Sequence, residues 1–248
     1  MFPIRDHNPS GRTPYVTYAL IALNVVIYLG YWPLFSDARA LNLFFYDWAM
    51  IPARVTQARE YSGLLTSIFL HGGIMHLVGN MLFLWIFGDN MEDRMGHLPY
   101  LAFYLACGVG ASLAQVAAEP ASMVPTVGAS GAIAGVMGGY LLLFPRARVD
   151  ILIIFIVFFR IITIPAAILL VLWFAIQLFS GIGADLSNGG VAYWAHAGGF
   201  AIGGALTVPV FLRLGGRRFW NVTHGQPPNP EARYAYRRTS IPRVRPRK

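Results

Sequence analysis

The chain contains a succession of apolar stretches, several of them long enough to cross a lipid bilayer, separated by short polar turns. A spanning helix needs about 20 mostly apolar residues, because hydrocarbon offers no partner for backbone N–H and C=O groups. That requirement fixes the expected fold class: an all-α polytopic membrane protein. Composition agrees, since 56% of the 248 residues are hydrophobic and only 12% charged, against about 25% charged in soluble proteins. The single cysteine, Cys107, lies within an apolar run, so no disulfide framework is expected. No cleavable leader is expected either: residues 1–14 are polar, and the first apolar run is long enough to stay as a span.

Six spans follow from the pattern, forming a domain over 15–213 between a short cytoplasmic segment, 1–14, and a basic tail, 214–248. The first runs from about Tyr15 to Leu34 and the second from Ile74 to Met91, with the turn Asp89–Arg94 after it. Between them, roughly 35–70 form a long extracytoplasmic loop rich in aromatics (Phe44, Phe45, Tyr46, Trp48). Loops of that length are usually functional or folded; this one either lies partly in the membrane interface or braces the bundle. The third span covers Leu98 to Ala118. The fourth starts at Ser130 and stops near Pro145, only about 15 residues, short of the usual 20. Its N-terminus therefore sits below the membrane surface, or the bilayer thins there.

From Ile151 to Phe179 the chain is too long and apolar for one straight helix. Pro165 suits the first turn of a helix, which gives a fifth span over about Ile164–Gly181 and an interfacial or strand-like piece over 149–161. A glycine-rich loop, 181–190, precedes the sixth span, Tyr193–Leu212. The tail is Pro/Arg-rich without apolar periodicity and reads as disordered.

The net charge of +8 does not point to nucleic acid. Eighteen of the nineteen basic residues are Arg, and ten of the nineteen lie from Arg213 onward, directly after a span. Such a tail reads as a cytoplasmic anchor at anionic lipid. With both termini inside, Arg94, Arg146, Arg148 and Arg160 also lie inside, and the mouth of span four opens outward. A chain of this kind without a targeting signal fits a bacterial inner membrane.

Four polar residues stand out against the apolar background. His76 and Asn80, four apart, share one helix face, and a polar face inside a membrane turns toward the bundle interior. They read either as interhelical hydrogen-bonding residues or as part of a site. Ser130 stands at a helix N-terminus, where unpaired N–H groups and the dipole favour negative charge; it is either an N-cap or a nucleophile. The glycines favour the nucleophile. Gly131, Gly135 and Gly139 line one face of span four, and His196, Gly199 and Gly203 line one face of span six. Small residues let membrane helices approach closely. If those faces meet, the imidazole of His196 reaches the Ser130 hydroxyl and can act as its base. No carboxylate lies in either span, since Asp150 and Asp185 fall outside them, so the pair is a dyad. His71, before Gly72-Gly73, is placed at a span entrance in a structural role. An HExxH metal site and an intramembrane pair of acids are both missing. Transport, the rival class, finds no internal repeat.

Taken together, His71-x4-His76-x3-Asn80, Gly128-Ala129-Ser130-Gly131 (a GxSG), Glu92-x3-Gly96 and Ala195-His196-x2-Gly199-x3-Gly203 resemble the rhomboid family of intramembrane serine proteases over about 15–213. The resemblance implies a six-transmembrane-helix rhomboid-like bundle, with Ser130 as nucleophile and His196 as general base. His76, Asn80 and the Ser130 backbone N–H would form the oxyanion hole. His71, Gly128, Gly131, Gly135, Gly199, Gly203 and Glu92 would be structural support. It implies transmembrane protein substrates in the lipid bilayer, cut in transmembrane or membrane-proximal segments, with no cofactor and no metal. One departure is Ser62-Gly63, where many members carry Trp-Arg; it bears on how the first loop is anchored. The alternative reading is a non-catalytic membrane chaperone of the same fold that binds client helices, with a proton-coupled transporter third.

Overall fold

The computed structural model describes residues 2–155, 158–183 and 190–225. Strand β1 (Phe2–Asp6) precedes α1 (Tyr15–Tyr31), which continues into a 3-10 turn, Trp32–Ser36. The first loop folds into α2 (Ala38–Trp48) and the one-turn α3 (Gly63–Thr66). Then come α4 (Ile74–Met95), α5 (His97–Ala118), α6 (Ser130–Leu143), β2 (Arg148–Phe155), β3 (Phe158–Pro165), α7 (Ala166–Gly183), α8 (Tyr193–Arg213) and α9 (Arg217–Thr223).

Among the described residues, three helical stretches are long and apolar enough to cross a membrane: Tyr15–Ser36, α5 and α8. A fourth is added if 63–69 and α4, which meet at a 91° bend, count as one span. Helices α6 and α7 are apolar but shorter. The chain is thus a mostly helical, multi-pass membrane protein, with exposed apolar side chains such as Val26, Leu29, Leu98, Leu172 and Phe179 around its outside.

The all-α expectation needs correcting. β1, β2 and β3 form an antiparallel sheet in that order, so the 1–14 segment that reads as merely polar supplies the sheet's first strand at Phe2–Asp6. Phe2 pairs with Leu152 and Asp6 with Val149. Within the 149–161 piece, 149–155 and 158–161 are strand, as its β-branched content favours. Strand β3 continues to Pro165, so α7 starts at Ala166. There the Ala166 N–H donates to the Ala147 carbonyl at 2.7 Å. The tail also departs from expectation. Helix α9 docks through buried Phe219 and through Trp220 Nε1, which donates to the Leu142 carbonyl at 3.0 Å. Residues 226–248 of that tail, and Asp185 with the rest of 184–189, lie outside the described residues.

Helix α6 is the axis. Every residue from Gly131 to Tyr140 is buried, enclosed by α4, α5, α7 and α8, and its contact with α8 is the most extensive between any two helices. The seam is backbone on backbone. A Cβ added at Gly199 would fall on the carbonyl of Gly131, one at Gly203 on the backbone of Gly135, and one at Gly138 on the carbonyl of Phe200. Close approach of this kind is what small residues permit where lipid and side chain are equally apolar.

Two further devices hold the bundle in register. Helix α1 has no side-chain cap of its own. Glu92 of α4, 1% exposed, supplies one: its carboxylate accepts from the N–H groups of Val16 (2.9 Å) and Thr17 (2.8 Å) and from the Thr17 hydroxyl (2.7 Å). A carboxylate at a helix N-terminus gains from both the unpaired donors and the dipole. The first loop braces the bundle. Met50 and Thr126 exchange backbone bonds at 3.1 and 2.8 Å, and Ala53 N–H reaches the Ser122 carbonyl at 3.0 Å. At the Ser62-Gly63 departure, a Cβ on residue 63 would meet the Ala49 carbonyl at 2.5 Å. Glycine therefore lets this turn press directly on the backbone of 49–50, so the loop is anchored by backbone contact.

Candidate active site

Ser130 is the first residue of α6. Ala129 holds the N-cap position with no side-chain cap bond, so the Ser130 hydroxyl is not spent on its own helix. It lies instead 2.8 Å from Nε2 of His196. The N-cap alternative therefore does not describe this residue. The seam explains the short distance: Gly131 against Gly199 and Gly135 against Gly203 bring α6 and α8 together one turn beyond the pair. Gln115 of α5 steadies the start of α8, its Oε1 accepting from the Ala195 N–H at 3.1 Å.

The turn into α6 needs glycine for two reasons. Gly128 has φ +132°, a conformation that L side chains rarely adopt. A Cβ there would also stand 2.8 Å from His76 Nε2 and 3.4 Å from Ser130 Oγ. His76 and Ser130 thus face a shared space directly above Gly128. The Gly128 N–H donates to the Ser67 carbonyl at 2.9 Å, tying the turn to the first loop. The first backbone bond into α6 is from Ile133 N–H to the Ala129 carbonyl. The N–H groups of Ser130, Gly131 and Ala132 precede it and have no carbonyl a turn earlier to bond.

Asn80, one turn along α4 from His76, is 8% exposed, and its amide nitrogen has no partner among the described residues. A buried donor left unpaired costs about 1–3 kcal/mol, and this one lines a cavity from which an entering group can reach it. His71 is fully buried behind His76, the two rings 5.2 Å apart and nearly perpendicular. Its backbone, not its ring, makes the bonds: N–H to Tyr31 Oη at 2.7 Å, and carbonyl from the Tyr31 hydroxyl at 2.8 Å. Ser130, His196, His76 and Asn80 all line one cavity of about 930 Å³, together with Gln115 and Trp173. Among the described residues no cluster of three His, Cys, Asp or Glu side chains could hold a metal ion.

The structure also brings in a residue that sequence reasoning passed over. Gln177 of α7 is 8% exposed and places Oε1 2.8 Å from Nδ1 of His196. The only advance signal was its position as a lone amide in an apolar helix, shared by any interhelical hydrogen-bonding residue.

A model of the Rhomboid domain matches residues 58–213, well over half of the chain. The chain belongs to the rhomboid family. Among curated relatives, the mitochondrial Rhomboid protein 1 of Saccharomyces cerevisiae is 30% identical over 192 residues, 76% of this chain and 51% of that protein. Rhomboid protease GluP of Bacillus subtilis is 44% identical over 82 residues, 33% of this chain and 16% of its own. Putative rhomboid protease YdcA of the same organism is 37% identical over 82 residues, 33% of this chain and 41% of its own. This rhomboid spans about half or less of the length of these relatives.

Proposed function

We propose that this rhomboid is an intramembrane serine endopeptidase that cleaves transmembrane or membrane-proximal segments of other proteins. The observation that carries the reading is the 2.8 Å bond between Ser130 Oγ and His196 Nε2, at a helix N-terminus inside a cavity. In the proposed cycle His196 Nε2 takes the hydroxyl proton as Oγ attacks the scissile carbonyl carbon. The carbonyl π pair moves onto oxygen, and that oxyanion faces the Ser130 N–H, His76 and the unpaired Asn80 amide. Collapse expels the amine, which leaves with the proton from His196. Water, deprotonated by the same imidazole, then releases the acyl group from Ser130.

The orientation proposed has both termini on the arginine-rich cytoplasmic side, with six spans formed by α1, α4, α5, α6, α7 and α8. Arg146 and Arg148 follow the far end of α6. That helix is about 20 Å long at 1.5 Å per residue, so Ser130 lies toward the opposite face. Substrate enters as a segment that exposes its carbonyls, since a helical peptide has them already bonded.

The reading is tested by reconstituting the protein in lipid vesicles with a transmembrane reporter. Wild type is expected to cut it and Ser130→Ala to leave it intact. Removal of the Asn80 amide should slow turnover about 10²–10³-fold. Full cleavage by Ser130→Ala would end the proposal; reporter bound but uncut by folded wild type would favour the helix-binding chaperone.

A further inference from the structure

We propose that Gln177 is a positioning residue that fixes the tautomer and orientation of His196, as the third member of a Ser130–His196–Gln177 chain. The inference rests on the reading of Ser130 and His196 as nucleophile and base.

An imidazole can serve as base to Ser130 only if Nε2 carries a lone pair and Nδ1 carries the proton. Left alone, the ring holds no such preference. The amide oxygen of Gln177 accepts but cannot donate, and it stands 2.8 Å from Nδ1. With that oxygen facing the ring, the proton belongs on Nδ1 and the lone pair points at the Ser130 hydroxyl, 2.8 Å away. The ring is also held on its face. Trp173, four residues before Gln177 and so on the same side of α7, has its ring centroid 5.7 Å from that of His196, tilted by 36°. One helix thus grips the imidazole by edge and by face, while another supplies the residue itself.

The choice of an amide follows from the surroundings. In a serine–histidine–aspartate arrangement a carboxylate performs this orientation and also stabilises the imidazolium. A carboxylate buried in an apolar span would be strongly disfavoured or take up a proton, and a protonated acid could donate to Nδ1 and impose the wrong tautomer. A neutral amide keeps the acceptor without the charge. It carries its own hazard: turned over, its NH2 would donate to Nδ1 and leave the proton on Nε2, facing Ser130. The placement of Oε1 toward the ring is therefore the specific content of the proposal.

Two readouts test it on the full chain in lipid vesicles. The first does not depend on activity. In protein with 15N-labelled histidine, the His196 ring signals, assigned by their loss in His196→Ala, should report a proton on Nδ1. In Gln177→Leu that proton should redistribute toward Nε2. The second is reporter kinetics with Ser130→Ala as the blank: Gln177→Leu should lower kcat about 10- to 100-fold, the scale of a lost buried hydrogen bond, with KM unchanged. Gln177→Asn, one methylene shorter, should not restore kcat, and neither should Gln177→Glu, whose protonated acid can donate to Nδ1. A wild-type ring protonated on Nε2, or one whose tautomer is the same in Gln177→Leu, would overturn the proposal. So would wild-type kcat in Gln177→Leu. Loss of wild-type cleavage with the Nδ1 tautomer still present would instead count against the protease reading and leave the positioning intact.

Discussion

The two sides of His196 are held in different ways. On one side, α8 meets α6 through backbone: Gly131 against Gly199, Gly135 against Gly203, Gly138 against Phe200. On the other, α7 reaches the same histidine through two side chains, Gln177 and Trp173, and presents much of its remaining surface outward, including Ile168, Val171, Leu172, Ile176 and Phe179. The first contact sets how far the Ser130 hydroxyl is from the His196 ring. The second, on the proposed reading, sets which ring nitrogen faces it. Distance is thus built from rigid elements with no rotamers to adjust, whereas orientation depends on side chains of a helix that packs mainly on α8.

The hardest way to break this comparison is at the seam. Gly203→Ala puts a methyl group onto the backbone of Gly135, and overpacking of this kind costs about 3 kcal/mol. The helices must separate, and a displacement of about 1 Å at a reacting pair can cost about 10²-fold in rate. Thermal unfolding in detergent should fall and cleavage should drop together. Gly204→Ala is the control, because its Cβ would find only the Gly138 carbonyl at 3.8 Å; it should keep both stability and activity. Trp173→Ala sharpens the other half: it should lower kcat several-fold, on the scale of one lost ring contact of about 1 kcal/mol, without a comparable loss of thermal stability.

The smallest expected effects on cleavage lie at the far end of the molecule, where neighbouring strands carry carboxylates of opposite tendency. Asp150 of β2 is buried, which alone would raise its pKa, but bonds from Thr163, His7 and Arg5 outweigh this and hold it down at about 2. Asp6 of β1 is pushed up to about 8, by burial first, against the bond it accepts from the Tyr140 hydroxyl at 2.7 Å. The signs follow by linkage. Asp150 stabilises the fold above its unfolded value near 4, and that contribution is lost as pH falls through about 2. Asp6 favours the fold below about 4, and its contribution is lost as pH rises toward and through 8. Hydrogen exchange of β1 should therefore quicken, after correction for its intrinsic pH dependence, between pH 5 and pH 8.5. Asp6→Asn should flatten that change, and Asp150→Asn should leave it in place.

These contrasts also mark what a reader of the sequence could and could not see. The approach of α6 and α8 was legible, because glycines at helical spacing have no other good use in two apolar segments, and Ser130 and His196 each begin such a stripe. Gly138 was missed: it lies beside the stripe through Gly131, Gly135 and Gly139, and what it presses on first is the carbonyl of Phe200, a residue whose type does not signal a close approach. Gln177 was not legible, since one amide in an apolar helix has the same signature whether it bonds any neighbouring helix or the ring of His196. The sheet was hidden for a different reason. β2 and β3 are apolar enough to pass for part of a span, and β1 pairs with a strand about 145 residues away, a relation that no local pattern carries. Helix α9 escaped notice because seven residues give too little periodicity to stand out from a basic tail.

The central claim is that His196 activates Ser130, and the most direct measurement is labelling of the detergent-purified protein by a fluorophosphonate probe beside Ser130→Ala and His196→Ala. The account predicts that wild type is labelled, that both variants are not, and that the label maps to Ser130. Folded wild type that fails to label, or labelling that survives in either variant, would contradict it.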